Sequence, residues 1–265
     1  MVNNILDVII ENKIEEVQRS KAMVSVEELK SSEHFSRAVI SLKDALNAES
    51  ATGIIAEFKR KSPSKGVFLA EARPEIITRA YAEHGASALS VLTDESFFAG
   101  NMEDLKIARA NQLPILRKDF IIDAYQLIES KSVGADLILL IAACLEPGQV
   151  KELAGFAKSL GLEVLLEIHN DSELDHICAD VDLVGVNNRD LKTFTVDVNR
   201  SIDLAEKIPP AKIKISESGI TNVQTITLLK EHGYKGFLIG ETFMKAQDPA
   251  VAFARFVHEL KNGTT

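Results

Sequence analysis

From residue 53 onward, short apolar runs rich in leucine and β-branched residues alternate with stretches whose apolar positions recur at helical spacing. Short apolar runs bounded by turn residues read as strands, and a spacing of three to four reads as an amphipathic helix. Strands are predicted near 54–59, 87–92, 114–118, 136–142, 162–167, 182–187, 212–217 and 236–240. Helices are predicted between and after them, near 74–84, 101–112, 123–133, 147–160, 171–179, 197–207, 221–232 and 248–261. Gly85, Gly134, Gly161 and Gly233 each close a helical stretch and lead into the next strand, as the left-handed backbone of a helix C-terminus favours. Strands separated by helices pair in parallel. Eight such units predict an α/β fold of the (β/α)8 TIM-barrel type. An open doubly wound sheet is the alternative, disfavoured because eight strands exceed what most open sheets need.

Residues 1–50 fall outside this rhythm. Helical spacing appears at Ile5, Ile9, Ile10 and Ile14, and again at Phe35, Val39, Leu42 and Leu46. The expected organisation is an N-terminal helical extension, 1–50, on a single catalytic barrel domain, 51–265. The extension either caps a barrel face or forms an oligomer contact; the sequence leaves both open.

Composition narrows the function. A chain of 265 residues, 46% hydrophobic, can bury a full core. Its net charge of −9 argues against general binding of nucleic acid or an anionic membrane. Cys144 and Cys178 lack CxxC spacing and read as reduced, packed thiols, which fits a cytoplasmic location. The apolar stretch 136–145 is shorter than the ~20 residues a bilayer needs. Asn3, Asn4, Asp7 and Glu11 interrupt any signal-peptide core. Six scattered histidines have no metal-ligand spacing, and neither GxGxxG nor GxxxxGK[ST] occurs, so no metal and no cofactor are expected.

The candidate chemistry lies at strand ends. Four apolar strands, in GIIAEFK, LPILRKD, LEVLLE and IKISE, finish in ionisable residues. Buried charges need partners, so the recurrence predicts one shared polar pocket at the C-terminal rim of the barrel. Side chains alternate along a strand, and parity places Glu57, Lys59, Lys118, Glu167, Asn187 and Glu217 on the inner face. Lysines and glutamates massed there can offset one another's burial and shift pKa values for acid-base work. A catalytically idle ion-pair network is the bland alternative.

The segment from Ser62 to Gly66, together with Ser218, Gly219 and Gly240, offers small residues and backbone N–H groups for a phosphate dianion. Arg189 suits a carboxylate, or else pairs with Asp190.

The blocks IIAEFKRKSPSKG, SVLTDESFFAG, ILRKDFI, LLEIHN, VGVNNRDLKTF, ISESGI and FLIGETFM, in this order, closely resemble indole-3-glycerol phosphate synthases, as does the opening ILDVIIENKIEEVQ. The resemblance covers nearly the whole chain. It implies a cofactor-free barrel that converts 1-(2-carboxyphenylamino)-1-deoxyribulose 5-phosphate into indole-3-glycerol phosphate, releasing carbon dioxide and water. It implies Lys118 as the general acid of ring closure and Glu167 as an acid-base group in dehydration. Lys59 would lie near the substrate carboxylate with Glu57 as its partner, and Asn187 would hold a substrate hydroxyl. Glu217 would contact the substrate, Arg189 would assist carboxylate recognition, and Ser62, Gly219 and Gly240 would form the phosphate pocket. Glu241 departs from the serine common among relatives, so only its backbone N–H is expected to contribute.

A sugar isomerase of the phosphate-binding barrels would need no paired lysines, and a Schiff-base aldolase would use a strand-end lysine as nucleophile. A silent scaffold would not need every charged position filled. The chain ends soon after the eighth helix, so a monofunctional protein is expected. A monomer or weak homodimer is expected separately.

Overall fold

A computed structural model describes residues 5–263. Eight strands form the barrel: β1 Ile54–Phe58, β2 Ala88–Leu92, β3 Ile115–Lys118, β4 Leu137–Ile141, β5 Glu163–Ile168, β6 Leu183–Asn187, β7 Ile213–Glu217 and β8 Tyr234–Ile239. All neighbours pair in parallel and β8 closes on β1, with Ile55 opposite Leu238. The expected (β/α)8 barrel is therefore the observed fold, and the open sheet is excluded.

Two apolar cores follow from strand parity. Side chains facing outward, such as Ala56, Phe58, Leu89 and Val164, pack under the helices. Those facing inward, including Ile55, Leu116, Leu139, Leu165 and Ile215, fill the barrel below its polar rim. The four helix-closing glycines carry φ between +77° and +100°, a range in which a Cβ would be strained.

Most predicted helices are present with trimmed ends. The exception is 171–179, where only a 3-10 turn, Asp171–His176, forms. Asn170 accepts from the Ser172 N–H and hydroxyl, and Glu173 turns back to accept the His169 N–H. Short polar side chains that bond locally compete with an α-helical ladder.

The extension holds α1 Ile5–Met23, α2 Val26–Lys30 and α3 Leu42–Asn47. The helical spacing from Phe35 to Leu46 overstates the second helix, because residues 31–41 run as turns and irregular chain. Carboxylates at the lower rim hold them there. Asp136 accepts from Arg37 and the Ile40 N–H, and Glu163 accepts from the Ser41 hydroxyl and the Leu42 N–H. Leu42 and Leu46 then join the inner core from below. At the opposite rim Ile5, Leu6 and Ile9 of α1 line the cavity, so the extension serves both ends.

Candidate active site

A cavity of about 550 Å³ opens at the C-terminal rim, and all twelve residues singled out from the sequence line it. Side chains more than a hundred positions apart meet there because each ends a parallel strand pointing the same way.

At the centre, Lys118 Nζ lies 3.0 Å from Glu167 Oε2 and 3.6 Å from Glu217 Oε2. Asn187 Nδ2 donates to Glu167 Oε1 at 3.0 Å. Burial opposes the charge on Lys118, but the carboxylates of Glu167, Glu217 and Glu57 outweigh it and hold the ammonium above the ordinary lysine range. Burial also raises Glu167, yet Lys118, His169 and Asn187 outweigh it, so this carboxyl sits well below the usual range. Glu217 goes the other way. Burial, with the nearby charges of Glu167 and Glu57, prevails over Lys118 and pushes it up to about 8. Near neutral pH the cluster therefore holds one ammonium, one carboxylate and one neutral carboxyl, a set able to give and take protons. Glu217 has its room because position 185 is glycine: a Cβ there would stand 2.2 Å from Glu217 Oε1.

Glu217 also gives the protein a pH-dependent stability. Its folded value lies above its unfolded value of about 4.5, so the folded state binds the extra proton between the two. That contribution is complete below about 4.5 and is lost as pH rises through about 8. Glu217→Gln is expected to lose less thermal stability than the parent as pH rises between about 5 and 8. Melting curves across that range decide it, and parallel curves would count against a raised Glu217.

The second lysine stands on the same rim. Lys59 Nζ contacts Glu57 Oε1 at 2.6 Å and lies 5.7 Å from the centroid of the Phe68 ring. Ser62 is in a short hairpin whose strands are Lys61–Ser62 and Gly66–Val67, so the serine-rich segment is its tip. Ser218 and Gly219 both have left-handed backbone, at φ +66° and +77°. Asn188, which sequence reasoning passed over, pins them by donating to the Ser218 carbonyl at 3.0 Å. Gly240 lets Glu57 approach, since a Cβ there would meet its carboxylate oxygen at 2.4 Å.

Arg189 does not pair with Asp190. Its guanidinium donates to Glu241 Oε2 at 2.8 Å, and Lys245 bonds the other oxygen of Glu241. Asp190 instead accepts the N–H groups of Lys192 and Thr193. The carboxylate of Glu241 is thus neutralised by two cations. Burial would raise it, but Lys245 and Arg189 win and hold it in the ionised form.

The family profile described as "Indole-3-glycerol phosphate synthase" matches residues 6–256. The chain belongs to this family. It is 49% identical over 261 residues to an indole-3-glycerol phosphate synthase of Bacteroides thetaiotaomicron, covering 98% of this chain and all of that one. A relative of the same name from a Polaromonas species is 44% identical over 96% of this chain and 98% of its own. Two solved structures are alike in fold alone. The 3-hexulose-6-phosphate synthase of Salmonella typhimurium has a TM-score of 0.62 at 12% identity, over 80% of this chain and all of that one. A chain of the Pyrococcus furiosus tryptophan synthase complex has a TM-score of 0.59 at 17% identity, over 80% of this chain and 98% of that one.

A second supporting group besides Asn188 escaped the sequence reading. Lys13 of α1 is fully buried, its Nζ 3.0 Å from Asp94 and 2.9 Å from Asp119. Asp119 directly follows Lys118, and its other oxygen accepts from Arg117 and Thr93. The clue was there, since Lys13 lies on the stripe Ile9, Lys13, Val17 that α1 buries. Ile14, read as part of the apolar face, is 45% exposed instead.

Proposed function

We propose that this protein catalyses indole-3-glycerol phosphate synthesis: ring closure, decarboxylation and dehydration of 1-(2-carboxyphenylamino)-1-deoxyribulose 5-phosphate. The observation that carries the reading is Lys118 held between Glu167 and Glu217 in the cavity that Lys59 also lines.

The residues take roles that follow from their surroundings. The ring carbon bearing the carboxylate attacks the ketone carbon, and negative charge develops on the ketone oxygen. Lys118, kept cationic by its carboxylates, stabilises that oxygen and protonates it. Loss of carbon dioxide leaves the electron pair in the ring, and expulsion of the hydroxyl as water then completes the pyrrole. Lys59 supplies the proton to that hydroxyl, and Glu167, already ionised, accepts the proton the ring gives up. Asn187 and Glu217 hold substrate hydroxyls.

Ser62, Ser218, Gly219 and Gly240 receive the phosphate, with Lys245 and Arg189 supplying positive charge nearby. Glu241 holds those two cations in place, and Arg189 assists the substrate carboxylate. Ile9, Phe98 and Phe120 offer an apolar wall to the aromatic ring. The extension 1–50 belongs to the same folding unit as the barrel, because it supplies part of that wall. The enzyme acts in the cytoplasm on a small phosphorylated molecule, as a monomer or weak homodimer, without a cofactor.

Purified protein given the substrate is expected to produce indole fluorescence together with carbon dioxide. Fluorescence without carbon dioxide, or neither, would defeat the reading. Borohydride added during turnover is expected to trap no adduct, since no Schiff base forms.

A further inference from the structure

His169 follows Glu167 by two residues, and it does not line the cavity. Its Nε2 lies 3.2 Å from Glu167 Oε1, an ion-pair contact without hydrogen-bond alignment, and its Nδ1 lies within hydrogen-bond reach of Glu173 Oε2 at 3.2 Å. The same Glu173 oxygen accepts the His169 backbone N–H at 2.6 Å, while Asn170 donates to its other oxygen. The ring is 7% exposed. A carboxylate at each nitrogen calls for a proton on both, because a neutral imidazole would turn a lone pair toward one of them. Burial pulls the ring toward neutrality, but Glu167 and Glu173 outweigh it and raise it to about 9.

The two oxygens of Glu167 are thereby made unequal. Oε1 faces Asn187 and His169, which leaves Oε2 for Lys118 and the substrate. We propose that His169, held by Glu173, is a positioning residue for Glu167: its imidazolium fixes which oxygen meets the substrate. This rests on the reading of Glu167 as the acid-base group.

The groups facing Glu167 from the surrounding elements are Lys118 of β3, Asn187 of β6 and Glu217 of β7, with Glu57 of β1 acting through Lys118. Cys144, just after β4, is a half-buried thiol that desolvation holds protonated. Lys118 is shared with Glu217, so His169 is the second cation whose charge Glu167 feels.

The test compares full-length parent, His169→Gln and Glu173→Gln by turnover against pH. His169→Gln is expected to lower kcat about tenfold or more with KM within about threefold. The acidic limb of its kcat profile should move up by about one pH unit, because Glu167 loses a cation. Glu173→Gln, a less buried change, should move that limb in the same direction by a smaller amount and keeps the test open if His169→Gln does not fold. A fall in kcat with an unmoved acidic limb would assign His169 a purely structural role and overturn the inference. Parent-like profiles in folded variants, with Glu167→Gln inactive, would overturn it while leaving the proposed function standing. Retained turnover in Glu167→Gln would remove both the Glu167 assignment and the inference.

Discussion

Lys118→Ala is expected to lower kcat by about a thousandfold or more while changing substrate affinity less than about tenfold. Steady-state indole fluorescence and calorimetric titration measure the two. The size follows from position. The ammonium is the cation nearest the centre of the cluster, where charge appears on the ketone oxygen, and a donor aimed at developing charge acts on the transition state more than on the bound substrate. Water in its place would have to reorganise during the reaction. Removing Lys118 need not unfold the barrel, because Glu217 already favours its proton and Glu167 can take one up. Lys118→Arg is expected to rescue little, since a wider planar fork does not match the place of one ammonium between Glu167 and Glu217. A Lys118→Ala enzyme within tenfold of the parent would end the assignment of this lysine as the acid of ring closure.

Lys13→Ala is expected to destabilise the protein by about 3–5 kcal/mol, the loss typical when one partner of a buried ion pair is removed. Its ammonium has no solvent exposure, and neither do the side chains of Asp94 and Asp119. Without it, two carboxylates stay buried with their charge reduced only by Arg117, Thr93 and backbone donors. Burial would raise Asp119, but Arg117 and Lys13 prevail and hold it down to about 2. Stability from that carboxylate is full above about 3.8 and fades as pH falls toward about 2. The difference between parent and Lys13→Ala should therefore shrink in strong acid. Urea unfolding at neutral and acidic pH reads both effects. A loss under 1 kcal/mol at neutral pH would show that α1 is not anchored this way. Turnover is a second readout, since α1 contributes Ile9 to the cavity and Asp119 is covalently next to Lys118.

Strand ends were legible because they break a strong rule. A lysine or glutamate at the close of an apolar run stands out when only the pattern is known, and parity then assigns its side. Lys59, Lys118, Glu167 and Glu217 needed nothing more to be placed at one rim. Lys13 breaks the same rule on a helix, but helical faces tolerate long charged side chains that reach solvent, so its burial left a weaker mark. His169 left almost none. Its partners are Glu167, two residues away, and Glu173, which a continuous helix over 171–179 would have directed elsewhere. The side-chain fates of Arg189 and Glu241 were equally hidden, being 52 residues apart in sequence and joined only where the loops after β6 and β8 meet.

By itself the sequence determined the repeat of strand and helix, the inward set of polar residues and the family, because these rest on local periodicity and on blocks of adjacent residues. Tertiary structure decided which carboxylate keeps its proton, which arginine meets which acid, and how α1 is fastened to the rim. Those depend on distances of a few ångströms and on exclusion of water, which exist only once the barrel has closed and brought distant charges into the same low-dielectric space.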